Sequence, residues 1–442
     1  MIGVEFAVAL AIIGFQEPVE VLTLDRAISI GVERSLGAKI AESQLVQAKE
    51  RTKQARGLLG FRLDSQFSYD RYAERQTFGG GGSGGNFDSK RASIVLSYPV
   101  DIVGLSRKAA LAAKKNEESV AESITITLNQ TRFDIREAFF GVIRASWVLQ
   151  VAEEAVKAAE ARLSNANKFF NAGSIARFDV LRLETDLSRV NAELDQSQNN
   201  LRLAKQVLNN RMERDAETPF TIESEYLNTI ANDLPKLETQ EGWLLDAALQ
   251  NRAELRQLSS ALEARKFVTY TRRGGLSPSL NLSLTHSEFP GASSFQQSRT
   301  TTLNATVSFP LWDSGVTKAQ IAEAKQDEVQ IVMNLERTRL GISLQLKSAI
   351  VRFRNAEAQM RFSQKTVNLQ TEALRLAELR FNAGEGILLD VTTADADLRS
   401  AQGALVAARA EYLIAYAALQ NAVGIDNLVP PATTTTEIQV PK

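Results

Sequence analysis

Hydrophobic residues recur along most of this chain at intervals of seven. Leu128, Ile135, Val142, Leu149, Val156, Leu163 and Phe170 fall seven apart, and Ala138, Ala145, Ala152, Ala159 and Ala166 follow three residues behind. A seven-residue apolar period belongs to a left-handed coiled coil, here with large side chains set beside small ones. The spacing resumes in Val180, Leu187, Leu194, Leu201 and Leu208. It returns in Leu346, Phe353, Met360, Val367, Leu374 and Phe381, and again in Val391, Leu398, Leu405, Tyr412 and Leu419. No proline interrupts residues 103–169, so the pattern predicts a helix on the order of 100 Å long. Residues 23–57 and 177–212 predict helices of roughly half that length; two of these end to end match one long helix.

Between the helices the period changes from seven to two. Phe61, Leu63, Phe67 and Tyr69 alternate with Arg62, Asp64, Gln66, Ser68 and Asp70, and Ile94, Leu96 and Tyr98 with Ser93 and Ser97. Leu280, Leu282 and Leu284 alternate with Ser279, Asn281, Ser283 and Thr285. Leu303, Ala305, Val307 and Phe309 do the same against Thr302, Asn304, Thr306 and Ser308. Each run predicts a strand with one apolar and one polar face. Such strands suit a membrane β-barrel, in which side chains alternate between lipid and a wet lumen. Four strands cannot close, and open edges are not tolerated in lipid, so several chains must contribute to one barrel. The soluble alternative is two hairpins packed on helices.

The two halves are duplicates. Residues 99–210 align with 310–421 at a constant offset of 211: Pro99 meets Pro310, Gly104 meets Gly315, and Asp179-Val180 meets Asp390-Val391. Phe170-Asn171-Ala172-Gly173 recurs unchanged as Phe381-Asn382-Ala383-Gly384. The expected organisation is therefore a first repeat over residues 22–212, an irregular connector over 213–242, a second repeat over 243–424 and a disordered tail over 425–442. Residues 1–17 read as the apolar core of a secretory signal without its positive leader; the alternative is a buried N-terminal segment.

Composition removes most chemistry. Lysine and arginine number 51 against 52 aspartates and glutamates, which leaves no excess positive charge for nucleic acid. There is no cysteine, a single histidine, His286, and 4 methionines; neither a disulfide nor a metal cage is expected, and no cofactor. No window of 18 apolar residues predicts a membrane-spanning helix. The run Gly79 to Gly85 lacks the ending a phosphate loop needs and reads as a hairpin loop. His286 reads as a rim residue at a strand end. Trp312 and Phe309 read as an aromatic girdle at a strand-to-helix junction, with core packing as the alternative.

With these pieces in place the chain resembles the outer-membrane efflux protein family, the TolC-like exit ducts. The resemblance covers residues 22–424. It rests on Phe-Asn-Ala-Gly followed by Asp-Val in both halves, and on the junctions Ser97-Tyr98-Pro99-Val100 and Ser308-Phe309-Pro310-Leu311-Trp312-Asp313-Ser314-Gly315. It implies a mainly α fold with membrane β: duplicated long coiled-coil hairpins forming an α-barrel, and four strands per chain contributing to a shared trimeric β-barrel of twelve strands. It implies a passive, non-enzymatic outer-membrane duct of a tripartite efflux or type I secretion system. Its implied partners are two further copies, outer-membrane lipid, a periplasmic adaptor and an inner-membrane transporter. A soluble coiled-coil scaffold is the alternative.

The resemblance also assigns a periplasmic gate. Asp390 stands where the family has an aspartate of an acidic ring. Phe381 stands where a tyrosine occurs, Gly386 where an arginine occurs and Thr393 where a second aspartate occurs, so the usual lock contacts are missing. Asn171, Gly173, Asp179, Asn382 and Gly384 mark the helix tips that would dock the adaptor. From the residues alone, Asp179 and Asp390 also fit as helix-start acids that complement the macrodipole. Gly173 and Gly384 fit as left-handed residues that end helices.

Overall fold

The computed structural model describes residues 20–72, 87–223, 241–290, 298–426 and 428. Residues 1–17, the Gly79 to Gly85 run, most of the connector and nearly all of the tail lie outside them. In chain order the elements are β1 (Glu20–Val21), α1 (Leu24–Arg34), α2 (Leu36–Gly57), β2 (Arg62–Tyr72), β3 (Phe87–Val100), α3 (Leu105–Asn171), α4 (Arg177–Arg211) and β4 (Phe220–Thr221). They continue as α5 (Glu241–Asn251), α6 (Ala253–Thr271), a short 3-10 turn, β5 (Ser279–Glu288), β6 (Arg299–Ser308), α7 (Val316–Asn382) and α8 (Leu388–Val423). The duplication is visible in the helices: α3 and α7 each run 67 residues unbroken.

Both long helices are started by an aspartate. Asp101 accepts from the backbone N–H of Ser106 and Arg107, and Asp313 from those of Gly315 and Thr317, which satisfies donors that a helix N-terminus leaves free. Strand β3 runs through Pro99 and Val100, so the first junction lies at residues 101–104 rather than at Ser97-Tyr98-Pro99-Val100. The helix expected over 23–57 is interrupted at Ser35, whose Oγ accepts from the Ala38 N–H and meets Thr131 Oγ1.

By contacts the chain forms two compact units, and these do not follow the repeats. One takes Met1–Lys39, Ile126–Arg252 and Leu340–Lys442; the other takes Ile40–Thr125 and Ala253–Arg339. Each draws on both halves of the sequence.

In the first unit the core gathers around the middle of α3, where Ile135, Phe139, Val142 and Ile143 are fully buried together with Leu22, Leu208 and Met212. This stretch is apolar on more than one side, beyond the single heptad seam. Phe220 joins this core, 2% exposed, where β4 pairs in parallel with β1, and β4 lies inside the region expected to be irregular. The later seam holds: Phe353 packs against Tyr412, the rings tilted at 42° with centroids 4.8 Å apart, and Ala408, Ala415, Ala417 and Ala422 are buried along α8. Small residues there let the helix backbones approach.

The second unit holds a four-stranded antiparallel sheet in the order β2-β3-β5-β6. The two expected hairpins are thus joined through β3 and β5. Register places Leu63, Leu96, Leu284 and Leu303 in one row across all four strands. The row nearer the helices holds Tyr98, Leu282 and Ala305, and the next one Val100, Leu280 and Val307. Leu63 is 65% and Leu303 76% exposed, so that face is uncovered among the described residues. Beyond the leucines the same face turns polar. His286 Nδ1 lies 2.8 Å from Thr301 Oγ1, and Glu288 pairs with Arg299 at 3.1 Å. Trp312 and Leu311 are each 84% exposed, which sets aside core packing within the chain for Trp312.

Gly31 tests the packing of the first unit, because a Cβ added there would lie 2.2 Å from Cδ1 of the fully buried Ile135. Overpacking of this kind costs about 2 kcal/mol. Gly31→Val is expected to lower the thermal unfolding midpoint followed by circular dichroism.

Candidate functional site

The site begins at the two helix turns, which are built alike. After Asn171 the N–H of Gly173 donates to the Phe170 carbonyl and that of Ser174 to the Phe169 carbonyl. After Asn382 the N–H of Gly384 donates to Phe381 and that of Glu385 to Arg380. This pairing closes a helix end and requires a left-handed residue; Gly173 and Gly384 have φ of +76° and +77°. Gly386 serves differently. A Cβ there would stand 3.1 Å from the Phe381 nitrogen and 3.2 Å from two atoms of Arg380, so the chain folds closely back over the helix end.

The turns lie side by side. Ala166, Leu183 and Leu388 form a buried cluster flanked by Leu163, Ile175 and Phe381, and the Phe169 and Phe381 rings meet edge to face at 6.4 Å. Phe381 is therefore half-buried packing between the hairpins. Asn171 and Asn382 are exposed. So are Phe178 at 71% and Ile387 at 59%, which leaves large apolar side chains uncovered at the tips.

Asp179 and Asp390 hold equivalent positions in the first turns of α4 and α8. Asp179 reaches back to accept from the Ala176 N–H at 3.3 Å, one half of a capping box, since alanine offers no side chain for the other half. Asp390 is exposed and its carboxylate has no hydrogen bond or ion pair among the described residues. Thr393 is exposed one turn further along α8.

Sequence reasoning missed a buried ionic cluster just behind this turn. Asp395 of α8, with a side chain 7% exposed, pairs with Arg162 of α3 at 2.6 Å and with Arg399 at 3.1 Å. Arg399 also reaches Asp186 of α4 at 3.4 Å, and Asp186 pairs with Arg189. Arg399 Nη1 faces Asp395 Oδ2 without hydrogen-bond alignment, so attraction there is ionic. Burial alone would raise the Asp186 carboxyl, but the Arg189 hydrogen bond and the Arg399 charge hold it below the usual carboxylate range. Three helices from both repeats are tied at one point. The signal was readable only as charged residues on seam-adjacent faces, which ordinarily are solvated.

Among the described residues no group of three or more histidine, aspartate or glutamate side chains is placed to hold a metal ion, and no helix is long and apolar enough to cross a membrane.

Residues 244–425 match the model of the outer membrane efflux protein family. Nodulation protein T of Rhizobium leguminosarum bv. trifolii is 22% identical over 272 residues, 58% of this chain and 54% of that protein. The chain thus spans about half the length of that relative. Outer membrane protein TolC of Escherichia coli (strain K12) is 24% identical over 358 residues, 77% of this chain and 71% of its own. The crystal structure of the outer membrane protein VceC from Vibrio cholerae superimposes with a TM-score of 0.75 at 18% identity, covering 91% of this chain and 96% of that one. The fold is that of VceC, mainly helical with a few strands.

Removing Asp395 leaves Arg162 and Arg399 facing each other in a buried site, and breaking such a pair costs about 3 kcal/mol. Asp395→Asn is expected to lower the unfolding midpoint clearly, whereas Glu193→Gln, at an exposed pair, leaves it within error. The depressed Asp186 carboxyl stabilises the fold above the unfolded aspartate value near about 4. That contribution is lost as pH falls through the lower folded value. Asp186→Asn should therefore flatten the acid limb of the stability profile.

Proposed function

We propose that this chain, which carries the outer membrane efflux protein pattern over residues 244–425 and the fold of the outer membrane protein VceC, is one subunit of a passive outer-membrane efflux duct. The uncovered leucine row carries the reading. A sheet with one face apolar and the other rich in hydroxyls fits between lipid and a hydrated lumen. Its edges, β2 and β6, have no strand partner among the described residues. With four alternating strands, β6 of one copy meets β2 of the next in antiparallel sense, so identical copies can close a ring without residual edges. Strand count alone asks for at least two copies; the family resemblance favours three.

A second surface supports assembly. Along α7 Leu344 and Val351, then Phe362, Leu369 and Leu376, are exposed at spacings of seven. That is a coiled-coil seam with no partner among the described residues, suited to helices of a neighbouring copy. The soluble-scaffold alternative leaves the leucine row without cover.

The turns are the proposed periplasmic entrance. Asp390 from each copy forms an acidic ring, and Thr393 and Gly386 add no charge to it. The tie between α8 and the first hairpin is supplied by Arg162, Asp186, Asp395 and Arg399 in place of contacts that Phe381 and Gly386 cannot make. Exposed Phe178 and Ile387, with the turns at Asn171, Gly173, Asn382 and Gly384, offer apolar tips to a periplasmic adaptor, which links the duct to an inner-membrane transporter. Asp179 is engaged in capping its own helix.

Mass measurement of the detergent-solubilised protein should give a trimer; a stable monomer with native circular dichroism would overturn the duct. In planar bilayers Asp390→Asn is expected to reduce cation selectivity and weaken block by a trivalent cation. Asp179→Asn should do neither, and equal behaviour of both variants and the parent removes the acidic ring.

A further inference from the structure

The sheet face opposite the leucines has an unusual chemistry. On β5 and β6 that face comprises the alternate positions 279–287 and 300–308, paired in register, and all ten are serine, threonine or asparagine. No charge occurs on this half. On β2 and β3, over residues 62–71 and 88–99, the same face carries two cations and two anions: Arg62, Arg91, Asp64 and Asp70. Arg62 grips Asp64 two residues along its own strand, its Nε 2.8 Å from both carboxylate oxygens. Arg91 lies over the Phe289 ring at 5.1 Å. The charged residues of the described sheet that are not on this face, such as Lys90, Glu288 and Arg299, lie on the leucine side, beyond the apolar rows.

We propose that the barrel section of the duct is an electrically neutral, hydroxyl-lined passage in which each Arg62–Asp64 pair cancels its own field. This rests on the duct reading. Rings of like charge select ions by sign, whereas hydroxyl and amide groups offer both donor and acceptor and hydrogen-bond to either kind of solute. The barrel therefore admits cations, anions and uncharged polar solutes alike. Discrimination by charge is left to the helical end of the duct. Arg62 and Asp64 are the residues whose mutual neutralisation keeps it so, and symmetry multiplies any imbalance by the number of copies.

The test is the cation-to-anion permeability ratio of purified protein in planar bilayers under a potassium chloride gradient. Arg62→Gln frees one carboxylate per copy and should shift the ratio toward cations. Asp64→Asn frees one guanidinium per copy and should shift it toward anions, and the double variant should return to the parent value. Thr302→Asp, which adds an uncompensated carboxylate to the same face, should also shift it toward cations and serves if the Arg62 variant fails to assemble. Single variants that leave the ratio unchanged, or move it in the same direction, overturn the neutral-barrel proposal. The native chain has no cysteine, so a separate arm checks the premise: Thr302→Cys should react with a membrane-impermeant thiol reagent that fits the pore, and Leu303→Cys should not. A reversal of that pattern, or absence of conductance, overturns the duct itself. Labelling as expected with silent charge variants overturns the neutral barrel alone.

Discussion

Unpaired backbone groups set the terms for this molecule. A strand edge in lipid has no water to accept its N–H groups or to donate to its carbonyls, and each unsatisfied group costs several kcal/mol. The four-stranded sheet has such edges at β2 and β6, and its exposed leucine row discourages leaving it in water. One demand asks for lipid and the other for closure. In the proposed duct, association of identical copies meets both, and an even number of alternating strands makes that association antiparallel without a change of direction. The unpartnered seam on α7 belongs to the same solution, since helices that continue from the strands must also find neighbours.

The helical part is held by two different forces. Along most of the hairpins it is the packing of large side chains beside alanines, non-directional and spread over many turns. Near the turns that packing thins to a small cluster around Leu183 and Leu388, and an ionic cluster takes over. Burying Asp395 between two guanidiniums adds little net stability compared with an apolar core, but it fixes which helices meet and at what height. Such a tie is directional and depends on charge. It can be broken at one point without unravelling the seam behind it.

The two turn aspartates show how equal sequence can be put to unequal use. Asp179 and Asp390 follow the same motif at the same spacing and start their helices at the same position. One carboxylate turns back to cap its own backbone; the other makes no such contact among the described residues. In the proposed duct it is the uncapped one that has charge to offer to a solute.

Periodicity was sufficient for the long elements. Seven-residue and two-residue spacings are local consequences of helix and strand geometry, so the long helices, the four strands with their apolar face and the turns at Gly173 and Gly384 could all be read before any coordinates. The offset of 211 residues showed that the halves match. What spacing cannot carry is which element lies beside which. The break at Ser35, the parallel pairing of Glu20–Val21 with Phe220–Thr221, the joining of both hairpins through β3 and β5, and the meeting of Arg162, Asp186, Asp395 and Arg399 each bring together residues far apart in the chain. A charged residue on a helix reads as solvated from its neighbours in sequence alone. Only the approach of α3 decides that Asp395 is paired with Arg162, because ion pairing depends on distances in space that the one-dimensional pattern does not contain.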